Sequence, residues 1–204
     1  MSSPASPGVA AIRTLALVGP ASSGKTSLAE ALLVKAGAIG AAGSLERGTT
    51  VSDYDPLERR MQHSLSASVM HLRHADTRIH LIDTPGASDF LGHSLPALEA
   101  VETAAVVINA AAGVEPMAER MMEHAAAKHL DRLIVVNKID AADIDLPALL
   151  LQIQERFGKG CLPINLPADG GARVVDCFYN REGTSDFGSV ADAHRALVEQ
   201  VVEV

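Results

Sequence analysis

An α/β fold, with a mostly parallel sheet covered by helices on both faces, is predicted by two features of the sequence. Short apolar runs alternate along the chain with segments of helical apolar spacing, and the runs are almost purely aliphatic. Apolar residues make up 48% of the 204 residues, aromatic residues supply 3%, and Trp is absent. Val, Ile, Leu and Ala must therefore fill the core, as they do in strands buried on both faces. This length suits one domain with at most a small appendage.

The elements follow in order. Leu15 to Val18 is an apolar run that predicts a strand over 14–19, and Leu28, Leu32 and Leu33 recur at the spacing of a helix over 25–36. A long polar loop leads to strands over 66–73 and 77–82. Only a few polar residues separate these two in "HLRHADTRIHL", so they are expected to run antiparallel at one sheet edge. A helix is expected after Ser94 as N-cap, which places Pro96 in the first turn, where its missing donor costs little. A strand over 104–109, a helix over 115–129, a strand over 132–137 and a helix over 146–157 complete the alternation. In "EPMAERMMEHAAAKHL" the Met pair is read as core-facing. After Gly158 the pattern changes: "CLPINLP" and "ARVVDCF" read as two short strands around the turn "ADGG", followed by a polar stretch and a helix from Val190.

The first strand-to-helix connection carries chemistry. Gly19, four residues, Gly24, Lys25 and Thr26 fit GxxxxGK(S/T), a loop of small residues whose backbone N–H groups can turn toward one oxyanion. The helix that starts there adds unpaired N–H groups and the positive end of its dipole. Lys25 is suited to bridge β- and γ-phosphates, and the Thr26 hydroxyl to ligate Mg²⁺. Gly19, Ser22, Ser23, Gly24, Lys25, Thr26 and Ser27 are accordingly candidate phosphate-binding residues.

Two later motifs sit at strand ends, where open parallel sheets bind ligands. "DTPG" begins at Asp83, which can hold a Mg²⁺ water, and the Gly86 N–H can reach a γ-phosphate and lose it after hydrolysis. "NKID" supplies Asn137, Lys138 and Asp140. A carboxylate at Asp140 accepts from the ring N1–H and 2-amino group of guanine, donors that adenine lacks. Facing adenine it would be left unpaired, at a cost of about 1–3 kcal/mol or more. Asn137 would hold the loop and read the purine N7/O6 edge, with the Lys138 stem over the base. Together the motifs predict a P-loop NTPase three-layer fold that binds GTP and GDP with Mg²⁺.

These residues resemble the translational GTPases, and among them the G domain of elongation factor G and its divergent paralogues. The resemblance runs from about Leu15 to Val204 and is carried by "GPASSGKT", "GTTVSDYDPLERRMQHSLSASV", "DTPGASDF", "NKID" and "CLPINLPADGGARVVDCFY". It implies a GTP-operated factor acting on the ribosome in translocation or recycling. It also implies the boundaries: an N-terminal tail over 1–13 read as disordered, a GTP-binding domain over 14–157, and an incomplete α+β inserted subdomain over 158–204. The chain ends in an amphipathic helix without a stop signal and is read as a fragment or truncated product, lacking a further guanine-contacting loop.

The resemblance implies a first switch over about 48–65, in which Ser64 stands where the family has the Mg²⁺-ligating threonine. Thr26, Ser64 and Asp83 are thus the candidate metal residues, and Lys25, Thr26, Ser64, Asp83 and Gly86 the candidate catalytic ones. Two departures matter. The family's RGIT is here Met61, Gln62, His63, Ser64, which removes a glycine and an apolar gate residue. Ala87 replaces the histidine that positions the attacking water, and a methyl group can neither orient nor activate water. GTP binding with slow hydrolysis is the expectation; a non-hydrolysing, guanine-nucleotide-dependent binding module or an inactive truncated fragment is the alternative. His63 and His93 are read as switch-region or surface histidines.

A formal charge of −8 argues against broad capture of nucleic acid. Any ribosome contact would be local, through Arg47, Arg59 or Arg60. No apolar run reaches the length of a membrane span, and "MSSPASPG" lacks the pattern of a signal peptide. Cys161 and Cys177 have no CxxC spacing and are read as reduced thiols of a cytoplasmic, monomeric protein.

Overall fold

The computed structural model describes residues 9–203. The sheet elements are β1 (Ile12–Val18), β2 (Ser68–His74), β3 (Thr77–Asp83), β4 (Thr103–Asn109) and β5 (Asp131–Asn137), in the order β2-β3-β1-β4-β5. β1 runs parallel to β3 and β4, and β2 runs antiparallel to β3 at the edge, with His71 opposite His80. This is the α/β three-layer P-loop NTPase fold with a mostly parallel sheet. Residues 1–8 of the expected tail lie outside the described residues, while Val9–Ala11 form a 3₁₀ turn and β1 begins at Ile12.

Alternation along the strands divides the core. Leu17, Met70, Leu72, Leu81, Ala105 and Val107 point to one face and pack with Ala29 and Leu33 of α1 (Lys25–Lys35). Leu28 and Leu32 pack against the same cluster at its margin. Residues one step along, Ala16, Val18, Ile82, Val106 and Ile108, are buried on the opposite face. The helices that follow are α2 (Pro56–Met61), α3 (Leu91–Leu98) and α4 (Pro116–Ala127). α3 contacts β1 and α4, and Met121 and Met122 of α4 are buried.

Two expectations are corrected. The helix expected after Ser94 begins at Leu91, and Ser94 lies buried inside it, its hydroxyl donating to Pro85 O at 2.7 Å rather than capping the helix. Pro96 is therefore in the helix interior, where it removes a donor to the preceding turn. The polar loop after α1 contains α2, whose N-cap Asp55 and Glu58 form a capping box with Pro56 at the first position. The sequence signature of that helix, Asp-Pro-x-Glu, is legible in hindsight.

The chain divides into two compact units. One comprises the chain to Ile108 with Glu115–Val135, the other Asn109–Val114 with the chain from Val136 onward. This division by compactness falls inside β5. The second unit holds α5 (Leu146–Phe157), the hairpin β6 (Asn165–Ala168) and β7 (Arg173–Asp176), and α6 (Val190–Glu203). Leu166, Ala168, Val175, Cys177, Val190 and Leu197 form its own small core.

In the first unit the segment between α1 and α2 is pinned by Glu30, which is 1% exposed. Its two carboxylate oxygens accept from Gly43 N at 2.7 Å and Val51 N at 2.6 Å. Removing the carboxylate strands two N–H groups, each costing about 1–3 kcal/mol when left unpaired and buried. Glu30→Ala is expected to lower unfolding free energy by about 2–4 kcal/mol in urea titration, with Glu30→Gln costing less because one acceptor remains.

Candidate functional site

The connection from β1 to α1 passes so close to β4 that a Cβ on Gly19, at φ 129°, would lie 2.5 Å from Val107 O. Only glycine fits there. Gly24 takes φ 94° before the first turn of α1, and no side chain caps that helix. Its leading N–H groups are thus left for an anion. Ser22, exposed, also takes a positive φ, 60°; Ser23 is buried, and Ser27 is exposed on α1.

Lys25 is buried and folds back over the loop, donating to Gly19 O at 3.0 Å and Pro20 O at 2.8 Å. Burial pushes its ammonium down to about 8, against the opposing pull of Asp83 and Glu115. A triphosphate would supply the counter-charge that those two carbonyls provide only partly. Gly86 sits against this arrangement: a Cβ there would overlap Lys25 Nζ and the backbone at Pro20 and Ala21. The loop after β3, residues 84–90 and hereafter the second switch, can approach the phosphate loop this closely only because residue 86 has no side chain.

Beside the lysine is a cluster of hydroxyls and carboxylates. Thr26 Oγ1 donates to Asp83 Oδ2 at 2.6 Å, Ser64 Oγ lies 3.4 Å from Thr26 Oγ1, and Ser64 Oγ donates to Asp53 Oδ1 at 2.7 Å. Asp53 was not singled out in the sequence. Burial pushes the Asp83 carboxyl up to about 6, with the charge of Asp53 adding to the shift, and burial also raises Asp53. Asp83 Oδ1 and Asp53 Oδ2 are buried without a hydrogen-bond partner among the described residues. Two buried carboxylates with unused oxygens, flanked by threonine and serine hydroxyls, form a hard oxygen donor set that fits Mg²⁺.

The surroundings hold these groups in place. Thr84 Oγ1 donates to Leu17 O at 2.8 Å, tying the start of the second switch to β1. Glu58 Oε1, buried on α2, accepts from Leu65 N at 2.9 Å and Ser66 N at 3.1 Å, fixing the two residues after Ser64. Gln62, at the family's glycine position, adopts φ 56° as C-cap of α2. Ala87 is half-buried between Gly86 and the 3₁₀ turn Ser88–Phe90.

The "NKID" residues lie in the second unit. The backbone turns left-handed at Lys138, φ 60°, Ala110 N donates to Asn137 O at 2.9 Å, and Asp140 is exposed. A support for this loop was missed in the sequence, where "ADGG" was read only as a turn. Gly171, at φ 82°, lies against it so tightly that a Cβ would fall 2.5 Å from Ile139 O and 3.1 Å from Asp140 N. The Asp186 carboxylate holds the turn by accepting from Gly170 N at 3.2 Å and Gly171 N at 3.0 Å.

Fold and loop together define a P-loop nucleotide-binding domain. Residues 10–202 match the family described as Elongation factor Tu GTP binding domain. The chain belongs to that family, as a G domain of the translational GTPase type. It is 33% identical over 211 aligned positions to an elongation factor G-like protein of Mycobacterium tuberculosis, covering 98% of this chain and 30% of that protein. Elongation factor G 2 of Streptomyces coelicolor is 36% identical over 168 positions, 81% of this chain and 24% of that one. Peptide chain release factor 3 of Bordetella pertussis is 35% identical over 180 positions, 85% and 34% respectively. A crystal structure of a protein from Thermus thermophilus superposes with a TM-score of 0.80 at 37% identity, covering 95% of this chain and 31% of its own. The chain thus spans about a third or less of the length of these relatives.

Gly171→Ala must displace either the turn or the backbone of Ile139 and Asp140. It is expected to weaken GTP binding about tenfold or more while leaving the phosphate loop intact, so that inorganic triphosphate competes equally well against both proteins in a fluorescent-nucleotide displacement assay.

Proposed function

We propose that this domain binds GTP and GDP with Mg²⁺ and hydrolyses GTP slowly, serving a ribosomal step such as translocation or recycling. The observation that supports it most is the cluster around Thr26 Oγ1 and Asp83 Oδ2, 2.6 Å apart beneath the buried Lys25. It provides one cationic group and one hard-cation donor set at the start of an uncapped helix. The relatives' names, elongation factor and release factor, place them in protein synthesis, and the ribosome is proposed as partner from that likeness. Exposed Arg59 and Arg60 on the first switch, or Arg47 beside it, would make the local contact. Among the described residues no helix is long and apolar enough to cross a membrane.

In this reading the backbone from Gly19 to Thr26, with the Ser22, Ser23 and Ser27 hydroxyls, wraps the phosphates. Lys25 exchanges its two carbonyl acceptors for β- and γ-phosphate oxygens. Thr26, Ser64 and Asp83 would hold Mg²⁺, with Asp53 steadying Ser64; the bound ion supplies charge neutralisation at the phosphates. The Gly86 N–H reads the γ-phosphate, and its loss on hydrolysis frees the second switch. Asn137, Lys138 and Asp140 read guanine. Ala87 offers no hydrogen bond to the attacking water, so turnover is slow.

Calorimetric titration with GTP, GDP and ATP, with and without Mg²⁺, tests the binding half. GTP is expected to bind at least about 100-fold more tightly than ATP, and more tightly with Mg²⁺ than without. No affinity for either guanine nucleotide at millimolar concentration would overturn the reading. Single-turnover hydrolysis with ribosomes tests the rest: a rate well below that of an ordinary elongation factor is expected, and Ala87→His should raise it.

A further inference from the structure

We infer that His63 provides the hydrogen-bond acceptor for the attacking water that Ala87 cannot, so that the hydrolysis this site performs depends on an imidazole carried by the first switch. The inference rests on the GTPase reading above.

His63 stands one residue before Ser64, whose hydroxyl joins the Asp53 and Thr26 cluster at 2.7 and 3.4 Å. Its ring also meets the second switch: the ring centroids of His63 and Phe90 are 6.3 Å apart, tilted by 41°. Phe90 closes the turn that begins after Gly86 and Ala87, and Gly86 abuts Lys25 and the phosphate loop. The imidazole is therefore tethered to two segments that border Lys25 and Thr26. One tether is its chain neighbour Ser64, the other its contact with Phe90.

Its tautomer is set as well. His63 Nδ1–H donates to Met61 O at 2.9 Å. With that proton committed to a carbonyl, Nε2 of the neutral ring carries the lone pair and accepts. The left-handed Gln62, φ 56°, turns the chain between Met61 and His63 and makes this local bond possible. Asp53, Glu58 and Ser64 order the segment around it. His93 touches the same phenyl ring, with centroids 6.5 Å apart, but it is exposed on α3 and has no link to Ser64.

In the step itself the water oxygen forms a bond to the γ-phosphorus as the bond from that phosphorus to the bridging oxygen breaks, releasing GDP. The water's proton passes to a γ-phosphate oxygen, which leaves as inorganic phosphate. His63 accepts one hydrogen bond from the water during attack and ends unchanged; it is a water-orienting group, and no net proton resides on it.

The test is single-turnover GTP hydrolysis on the intact chain with Mg²⁺, beside nucleotide affinity by calorimetry. His63→Phe keeps a ring against Phe90 but has no acceptor. It is expected to lower the hydrolysis rate about 10- to 100-fold with GTP affinity within about threefold of the parent. His63→Gln, which retains a side-chain acceptor, should recover part of that loss, and Ala87→His should restore turnover in the His63→Phe background. His93→Phe should stay within about twofold of the parent. Hydrolysis by His63→Phe equal to the parent's overturns the inference and leaves the GTPase reading standing. If the parent binds GTP yet releases no phosphate, the inference falls with the hydrolysis half of that reading, and the binding half survives. Should His63→Phe lose its thermal transition, His63→Leu against His63→Gln decides the same question by the same ratio of rates.

Discussion

The bond from Thr26 Oγ1 to Asp83 Oδ2 is the constraint from which the first unit's chemistry follows. It joins the first turn of α1 to the end of β3, and because β1 and β3 are parallel neighbours, the loops that leave their C-terminal ends are brought side by side. The bond is made between buried partners, and the carboxylate keeps one oxygen unused. An acid group in that position is costly to ionise without a cation, as the rise of Asp83 to about 6 records. Placing Asp53 nearby raises the cost further. The protein thus holds two carboxylates in a setting that favours them only when a positive charge arrives, and Lys25, turned back on loop carbonyls, is in the complementary position with respect to an anion. A bound nucleotide and a bound cation would each relieve a desolvation penalty created by folding.

The polar segment from Gly43 to Ser66 would be expected to wander, since few of its side chains enter the core. Two glutamates prevent that. Glu30 on α1 receives two of its backbone N–H groups, and Glu58 on α2 receives two more near Ser64. Each carboxylate spends its charge on amides rather than on a basic partner, an arrangement stronger than neutral hydrogen bonding and indifferent to side-chain exchange along the loop. The sequence of the segment is therefore free to depart from its relatives at Met61, Gln62 and His63 while the hydroxyl of Ser64 stays near Thr26.

The layered fold was readable because it rests on periodicity: aliphatic runs, alternating strands and leucines at helical spacing are local signals, and residues 15–18, 77–82 and 104–109 carry the strand signals plainly. The phosphate loop was readable for a similar reason, since its glycines answer to backbone geometry. What escaped was tertiary. Asp53 is one acid among several in "VSDYDPLE"; Asp-Pro-x-Glu marks Asp55 as the cap of α2, but nothing local says that Asp53 meets Ser64. Gly171 was legible as a turn glycine, but its approach to Ile139 joins positions far apart in the chain. Ser94 has the chemistry of an N-cap and was assigned as one; the bond to Pro85 O, available only once the second switch folds back on α3, wins instead.

Binding and catalysis are separated here by the scale of the groups involved. Phosphate and metal recognition depends on many backbone amides, one lysine and a set of oxygen ligands, so the replacement of threonine by serine at position 64 leaves a hydroxyl where one is needed. Orientation of a water depends on a single acceptor, and the Ala87 side chain offers none. An elongation-factor-like G domain can therefore keep its switch while its turnover is reset by one side chain. The imidazole at position 63 adds a consequence of topology: a catalytic group on the second switch moves with the glycine that senses the γ-phosphate, whereas one on the first switch moves with the serine beside the metal cluster. Hydrolysis governed from that side would couple the chemical step to the ordering of Ser64, and whatever orders the first switch would control the rate.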